Sequence, residues 1–221
     1  MVEIPGPNPG RTIRKKRAWK FVISKLLTLV VLFFVIIDPL TSLVVFFVST
    51  KGFEKKAKIN IALLSVFLAT VICYLVLCLG SQLLELFNTD INSFKIAGGI
   101  ILVILGVNMS LGKSINDIER MEGDSIHAVA SIIATPLISG PATITAIIVS
   151  AAEYGKLLTG LAIGIILAVI WLLFYLSIRF HEVTAKAKTI IQVTTTLMGL
   201  ITLAWGVNYI ISGTQALSLF A

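Results

Sequence analysis

Six apolar stretches dominate the chain, at residues 20–50, 59–87, 94–111, 126–152, 157–180 and 188–212. Each is long enough to cross about 30 Å of hydrocarbon as a helix rising 1.5 Å per residue. None alternates in steps of two, as the strands of a membrane barrel would, so the runs predict a bundle of six transmembrane helices. The composition agrees: 57% of residues are hydrophobic and 13% charged, and the mean hydropathy is +1.00. No inter-span loop is long enough to fold as a soluble catalytic domain, the longest being 112–125.

The formal charge of +7 is concentrated in RTIRKKRAWK and in short loops beside the spans. That placement points to anionic lipid headgroups and away from nucleic acid. Residues 1–19 read as a disordered basic tail, with MVEIPGPNPG too rich in Pro and Gly to pack. The tail has no small-residue cleavage site behind it and is expected to be retained. Charge does not orient the bundle. The loops place nine basic residues on the side opposite the termini, against Lys95 and Lys156 on the other, whereas the basic tail itself favours an inside N-terminus.

The chain matches itself at an offset of one hundred residues: Gly99, Gly106, Val107 and Asn108 reappear as Gly199, Gly206, Val207 and Asn208. These motifs lie in the third and sixth spans. The chain therefore reads as a first three-helix repeat (20–112), a polar linker (113–125), a second three-helix repeat (126–213) and a short C-terminal tail (214–221). With three spans per copy, the second must enter the membrane from the opposite side, an inverted repeat of the kind found in transporters. The glycines allow close helix approach, and the two asparagines are candidates for hydrogen bonding across that seam.

Asp38-Pro39 interrupts the first span, and Gly140-Pro141 interrupts the fourth. Twelve residues separate each break from the start of its span, about 18 Å of helix, so both breaks fall near the midplane. Two alignments fit: Asp38-Pro39-x-Thr41 with Gly140-Pro141-x-Thr143, or Pro39-Leu40-Thr41-Ser42 with Pro136-Leu137-Ile138-Ser139. Proline lacks a donor and clashes with the preceding turn, so a helix stops before it and restarts with Pro in its first turn. Asp38 is placed to cap one restart and Gly140 the other.

Helix starts attract carboxylates, and unwound carbonyls attract ammonium groups. Two such starts facing each other, with Thr41, Ser42, Ser139, Ala142 and Thr143 beside them, would suit an amino acid carrying both charges. An aspartate at midplane depth costs on the order of 3 kcal/mol and marks a cavity or pathway. Burial favours its neutral form and the helix start its ionised form, which makes Asp38 the candidate proton carrier.

Cys73 and Cys78, five apart on one helix, point about 140° apart and cannot share a metal. His127 and His181 sit at span ends without partners at ligand spacing, so no metal or cofactor is implied. An intramembrane hydrolase using Ser139 and His181 is the alternative from another class, disfavoured because His181 sits in the headgroup layer; a channel or accessory subunit is a third.

The Asp-Pro-Leu of the first span, AGGIILVILGVNM at 97–109 and PLISGPATIT at 136–145 together resemble the MarC/SnatA family of prokaryotic inner-membrane proteins. The likeness covers most of residues 26–212. It implies an all-α six-span carrier with broken first and fourth helices, located in the cell membrane and moving small neutral amino acids such as glycine and alanine. The implied partners are that solute and membrane lipids, with no oligomeric state fixed. The chain departs from the family pattern at Thr41, where glycine is frequent, and at Pro141-Ala142, where Pro-Gly is usual. Both added side chains are expected to narrow the pocket.

Overall fold

The computed structural model describes residues 9–112, 125–179 and 185–218. Eight α-helices follow in order: α1 (Pro9–Ile37), α2 (Pro39–Ser49), α3 (Lys55–Leu86), α4 (Ile91–Ser110), α5 (Ile126–Ile132), α6 (Pro141–Tyr154), α7 (Lys156–Ser177) and α8 (Ala185–Ser218), with one π-helical segment, Ile133–Ile138, between α5 and α6. No strand occurs among the described residues. Five segments are long and apolar enough to cross a membrane: Lys20–Ser49, Lys55–Leu86, Ile91–Ser110, Lys156–Ser177 and Thr189–Leu217. The sixth expected span is divided among α5, the π segment and α6, none of which reaches that length alone.

Two boundaries differ from expectation. Helix α1 begins at Pro9, so residues 9–19, expected to be disordered, are helical. Proline fits the first helical turn, and adding Arg and Lys residues to a helix already nucleated is inexpensive. At the other end α8 runs to Ser218, past the expected end at 213, because residues 214–218 offer no proline to stop it. Residues 1–8, most of the linker (113–124), and His181 lie outside the described residues.

The bundle is apolar on its exterior and through most of its core, with a set of polar side chains buried inside. Asp38, Thr41, Ser42, Ser65, Thr143, Ser150 and Thr195 are buried, whereas Phe67, Leu86, Ile104 and Leu197 are more than half exposed. Cys73 and Cys78 divide the same way: the first is buried and the second exposed, as their angular separation on α3 requires. Helices α1 and α2 pack on α7, with Phe46 and Phe174 stacked at 4.4 Å between ring centroids, and α5 and α6 pack on α3.

The tightest seam joins α4 to α8. A Cβ at Gly99 would meet the Gly206 carbonyl oxygen at 2.6 Å, and one at Gly206 would meet that of Gly99 at 2.7 Å. One at Gly106 would meet the Gly199 carbonyl oxygen at 2.7 Å, and one at Gly199 would meet the Ser110 nitrogen at 2.7 Å. Rising numbers on α4 thus meet falling numbers on α8, so the two helices run antiparallel with their repeated glycines exchanged across the contact. Only residues without a side chain permit backbones this close.

Helix ends between the spans are locally sealed. Asn88 takes a left-handed conformation after α3, and the Asn88 and Thr89 amides donate to the Glu85 and Leu84 carbonyls, a Schellman closure. Asp90 then caps α4. The Ser93 hydroxyl and the Ser93 and Asn92 amides all donate to its carboxylate and hold it below the usual carboxylate range.

Candidate functional site

The two breaks are built differently. Asp38 adopts φ 47°, ψ 75°, the left-handed region that aspartate tolerates better than most residues, and this single residue turns the chain between α1 and α2. Its amide still donates to the Phe34 carbonyl, and its own carbonyl accepts from Ser42, so little backbone hydrogen bonding is lost. The Thr41 amide donates to Asp38 Oδ1 at 3.2 Å, and the Thr41 hydroxyl donates to Oδ2 at 2.5 Å. The carboxylate therefore occupies the start of α2 itself.

The second break is longer. Pro136 has no N–H and would crowd the carbonyl four residues back, and an extra residue in the turn relieves that conflict, giving the π segment. The Ser139 amide and hydroxyl both donate to the Ala134 carbonyl, at 3.0 and 2.7 Å. Gly140 then precedes Pro141 at the start of α6, with no side chain capping the helix. Of the two sequence alignments, the one pairing Asp38-Pro39 with Gly140-Pro141 matches the helix starts, and Pro136 falls inside the π segment.

Both breaks border one cavity of about 260 Å³, whose wall includes Asp38, Thr41, Gly140, Pro141, Ala142 and Thr143. Asn108, Leu105 and Met109 of α4 complete one side. Asp38 is the one charged side chain among these lining residues, and it is 5% exposed. Three expected residues stand outside the wall. Pro39 is buried in the first turn of α2, the Ser42 hydroxyl turns to the Ile37 carbonyl at 3.5 Å, and Ser139 is committed to Ala134. Gly99, Gly106, Gly199 and Gly206 form the α4–α8 seam. Asn108 and Asn208 sit at opposite ends of that antiparallel pair, so they do not meet across it. Among the described residues, no group of three or more His, Cys, Asp or Glu could hold a metal ion.

One partner of the site was hidden in an ambiguous sequence signal. Of the consecutive threonines on α8, Thr194 and Thr196 return their hydroxyls to the carbonyls of Ile190 and Gln192, whereas Thr195 points inward, 3.2 Å from the Thr41 hydroxyl oxygen. With Asp38 ionised, Thr41 spends its hydrogen on the carboxylate, so Thr195 must donate to Thr41. Protonating Asp38 frees the chain of three groups to reverse direction. Thr41→Val and Thr195→Val should each lower stability by about 1 kcal/mol, and the double variant should lose less than the sum, as measured by thermal melting of purified protein. Strict additivity would show that the two hydroxyls are not coupled.

An apolar exterior, five membrane-length helices and a mostly apolar cavity that carries one carboxylate and two hydroxyls define a multi-pass integral membrane protein, consistent with a transporter-like role. Residues 23–218 match the MarC family of integral membrane proteins, and the chain belongs to that family. It is 31% identical over 188 residues to a UPF0056 membrane protein of Methanocaldococcus jannaschii, covering 81% of this chain and 91% of the relative. It is also 31% identical over 194 residues to the Escherichia coli UPF0056 membrane protein YhcE, covering 83% and 89%. A Buchnera aphidicola relative is 29% identical over 195 residues, covering 83% and 89%. These relatives bear membrane-protein names, and no catalytic family is indicated. No solved structure matches the chain.

Proposed function

We propose that this protein is a secondary transporter of small neutral amino acids, of the glycine and alanine class, across the cell (inner) membrane. The observation that carries this reading is the meeting of two proline-led helix starts on one cavity that holds the buried Asp38. The starts are electrically unlike. That of α2 is already occupied by the Asp38 carboxylate, whereas that of α6 is uncapped, leaving the Ala142 and Thr143 amides without helical partners. A zwitterion fits this polarity: its carboxylate lies at the α6 start and its ammonium group against Asp38. The volume, about 260 Å³, falls below the roughly 300–1,000 Å³ of pockets for drug-sized ligands and suits a small solute.

The exchanged glycine contacts between α4 and α8 support the six-span inverted repeat. A two-fold axis in the membrane plane maps Gly99 against Gly206 onto Gly199 against Gly106, as two inverted copies require. The pairing of α1 and α2 with α7, and of α5 and α6 with α3, repeats that relation. Asp38, the charged group in the cavity wall, is the proton-carrying residue in this reading.

Purified protein in liposomes loaded with each unlabelled amino acid should show saturable counterflow of labelled glycine or alanine. A channel would pass solute without exchange acceleration, and an accessory subunit would pass none. If no amino acid exchanges, the reading is wrong.

A further inference from the structure

A second cavity, of about 170 Å³, lies between α1, the end of α6 and the C-terminal half of α8, with Thr28, Leu32, Glu153, Trp205, Asn208 and Tyr209 in its wall. Its relation to the midplane cavity follows from the repeat. Leu105 and Asn108 line the first cavity, and Trp205 and Asn208, their partners at an offset of one hundred, line the second. Because Gly106 faces Gly199 while Gly206 faces Gly99, the C-terminal halves of α4 and α8 lie at opposite ends of the pair. The two cavities therefore approach the midplane from opposite membrane faces.

They differ in reach. The first touches both helix breaks, and the second includes no residue of either. A small apolar cluster of Val35, Met109 and Met198 touches both: Met109 itself lines the first cavity, and Leu105 and Trp205, one from the wall of each cavity, pack against the cluster. Nearer the face, Lys95 of α4 pairs with Glu153 of α6, Nζ to Oε1 2.5 Å. Deeper in, the Tyr209 hydroxyl of the wall lies beside the buried Ser150 hydroxyl.

We infer that the second cavity is the opposite-side access path to the midplane site, shut in this structure by the Trp205 cluster and latched by the Lys95–Glu153 pair. Exchanging the conformations of the two halves would extend this path to the breaks and withdraw the first cavity from its face. The inference rests on the transport reading and identifies its gate.

Single cysteines at Asn108 and Asn208, in a Cys73→Ala, Cys78→Ala background, report the two paths. Labelling by a membrane-impermeant maleimide is followed in right-side-out and inverted vesicles without any amino acid. Position 108 should label faster than 208. Adding Glu153→Gln should raise the rate at 208 about three- to fivefold and lower it at 108. The charge swap Lys95→Glu with Glu153→Lys should restore the original ratio. Unchanged rates, or rates that rise together at both positions, would overturn the latch, since loosening alone exposes both. The readout is independent of transport. Reciprocal labelling in a protein that exchanges no amino acid would sink the substrate and keep the gate, and counterflow without reciprocity would do the reverse.

Discussion

Gly106→Val is expected to lower the stability of the bundle by about 3 kcal/mol, a drop of roughly 6–12 °C in melting temperature for a chain of this length. A Cβ at this position would meet the Leu203 nitrogen at 2.5 Å and the Gly199 carbonyl oxygen at 2.7 Å. Both are backbone atoms and cannot swing aside, so α4 and α8 would have to separate and give up the contacts on either side. Gly199→Val strikes the same seam one turn away, against Met109 and the Ser110 nitrogen, and should cost a similar amount. Once the helices have parted, the second valine finds room, so the double variant should lose clearly less than the sum. Thermal unfolding of the purified variants measures this. A Gly106→Val protein that melts with the wild type would mean that α4 and α8 do not pack through their glycines.

At Asp38, substitution should separate two functions of one carboxylate. Asparagine keeps an oxygen for the Thr41 amide and tolerates the left-handed backbone, so Asp38→Asn should fold; its neutral oxygen can still accept from the solute's ammonium group, so counterflow should persist at weaker affinity. It cannot take up and release a proton. Uptake driven by a pH gradient should fall at least about tenfold, equivalent to ~1.4 kcal/mol, in the same vesicles that still exchange. Full pH-driven accumulation by Asp38→Asn would remove the proton-carrier role. Asp38→Ala should do worse on both counts. It also leaves the Thr41 amide unpaired in a buried turn, at about 2 kcal/mol, with Thr195 as the one remaining partner of the Thr41 hydroxyl.

The residues that were legible in the sequence are those that act through the backbone. Pro39 and Pro141 stop and restart helices wherever they stand, and the paired glycines announce a close approach by lacking a side chain. Rotation of a helix about its own axis is harder to read in a membrane chain, because the lipid-facing and the packed faces are both apolar and amphipathic period is weak. That is why Thr195 could not be told from Thr194 and Thr196: the three point 100° apart, and the sequence carries no sign of which turns inward. Long-range pairs such as Lys95 with Glu153 depend on the same rotations. The π segment escaped for another reason. Pro136 and Pro141 both signal a break, and only the tertiary setting decides that the first is absorbed within the helix while the second ends it.

The left-handed turn at residue 38 also separates durability from work. Glycine takes that backbone without strain, whereas a side chain there costs about 1 kcal/mol, and a carboxylate at this depth about 3 more on insertion scales. Glycine gives up the same hydrogen bond to the Thr41 amide as alanine does, about 2 kcal/mol, which is less than the strain and burial it relieves. Asp38→Gly should accordingly melt no lower than the wild type, and higher if the carboxylate is uncompensated, while losing gradient-driven uptake. Selection for thermal robustness alone would discard the aspartate; selection for solute accumulation would restore it.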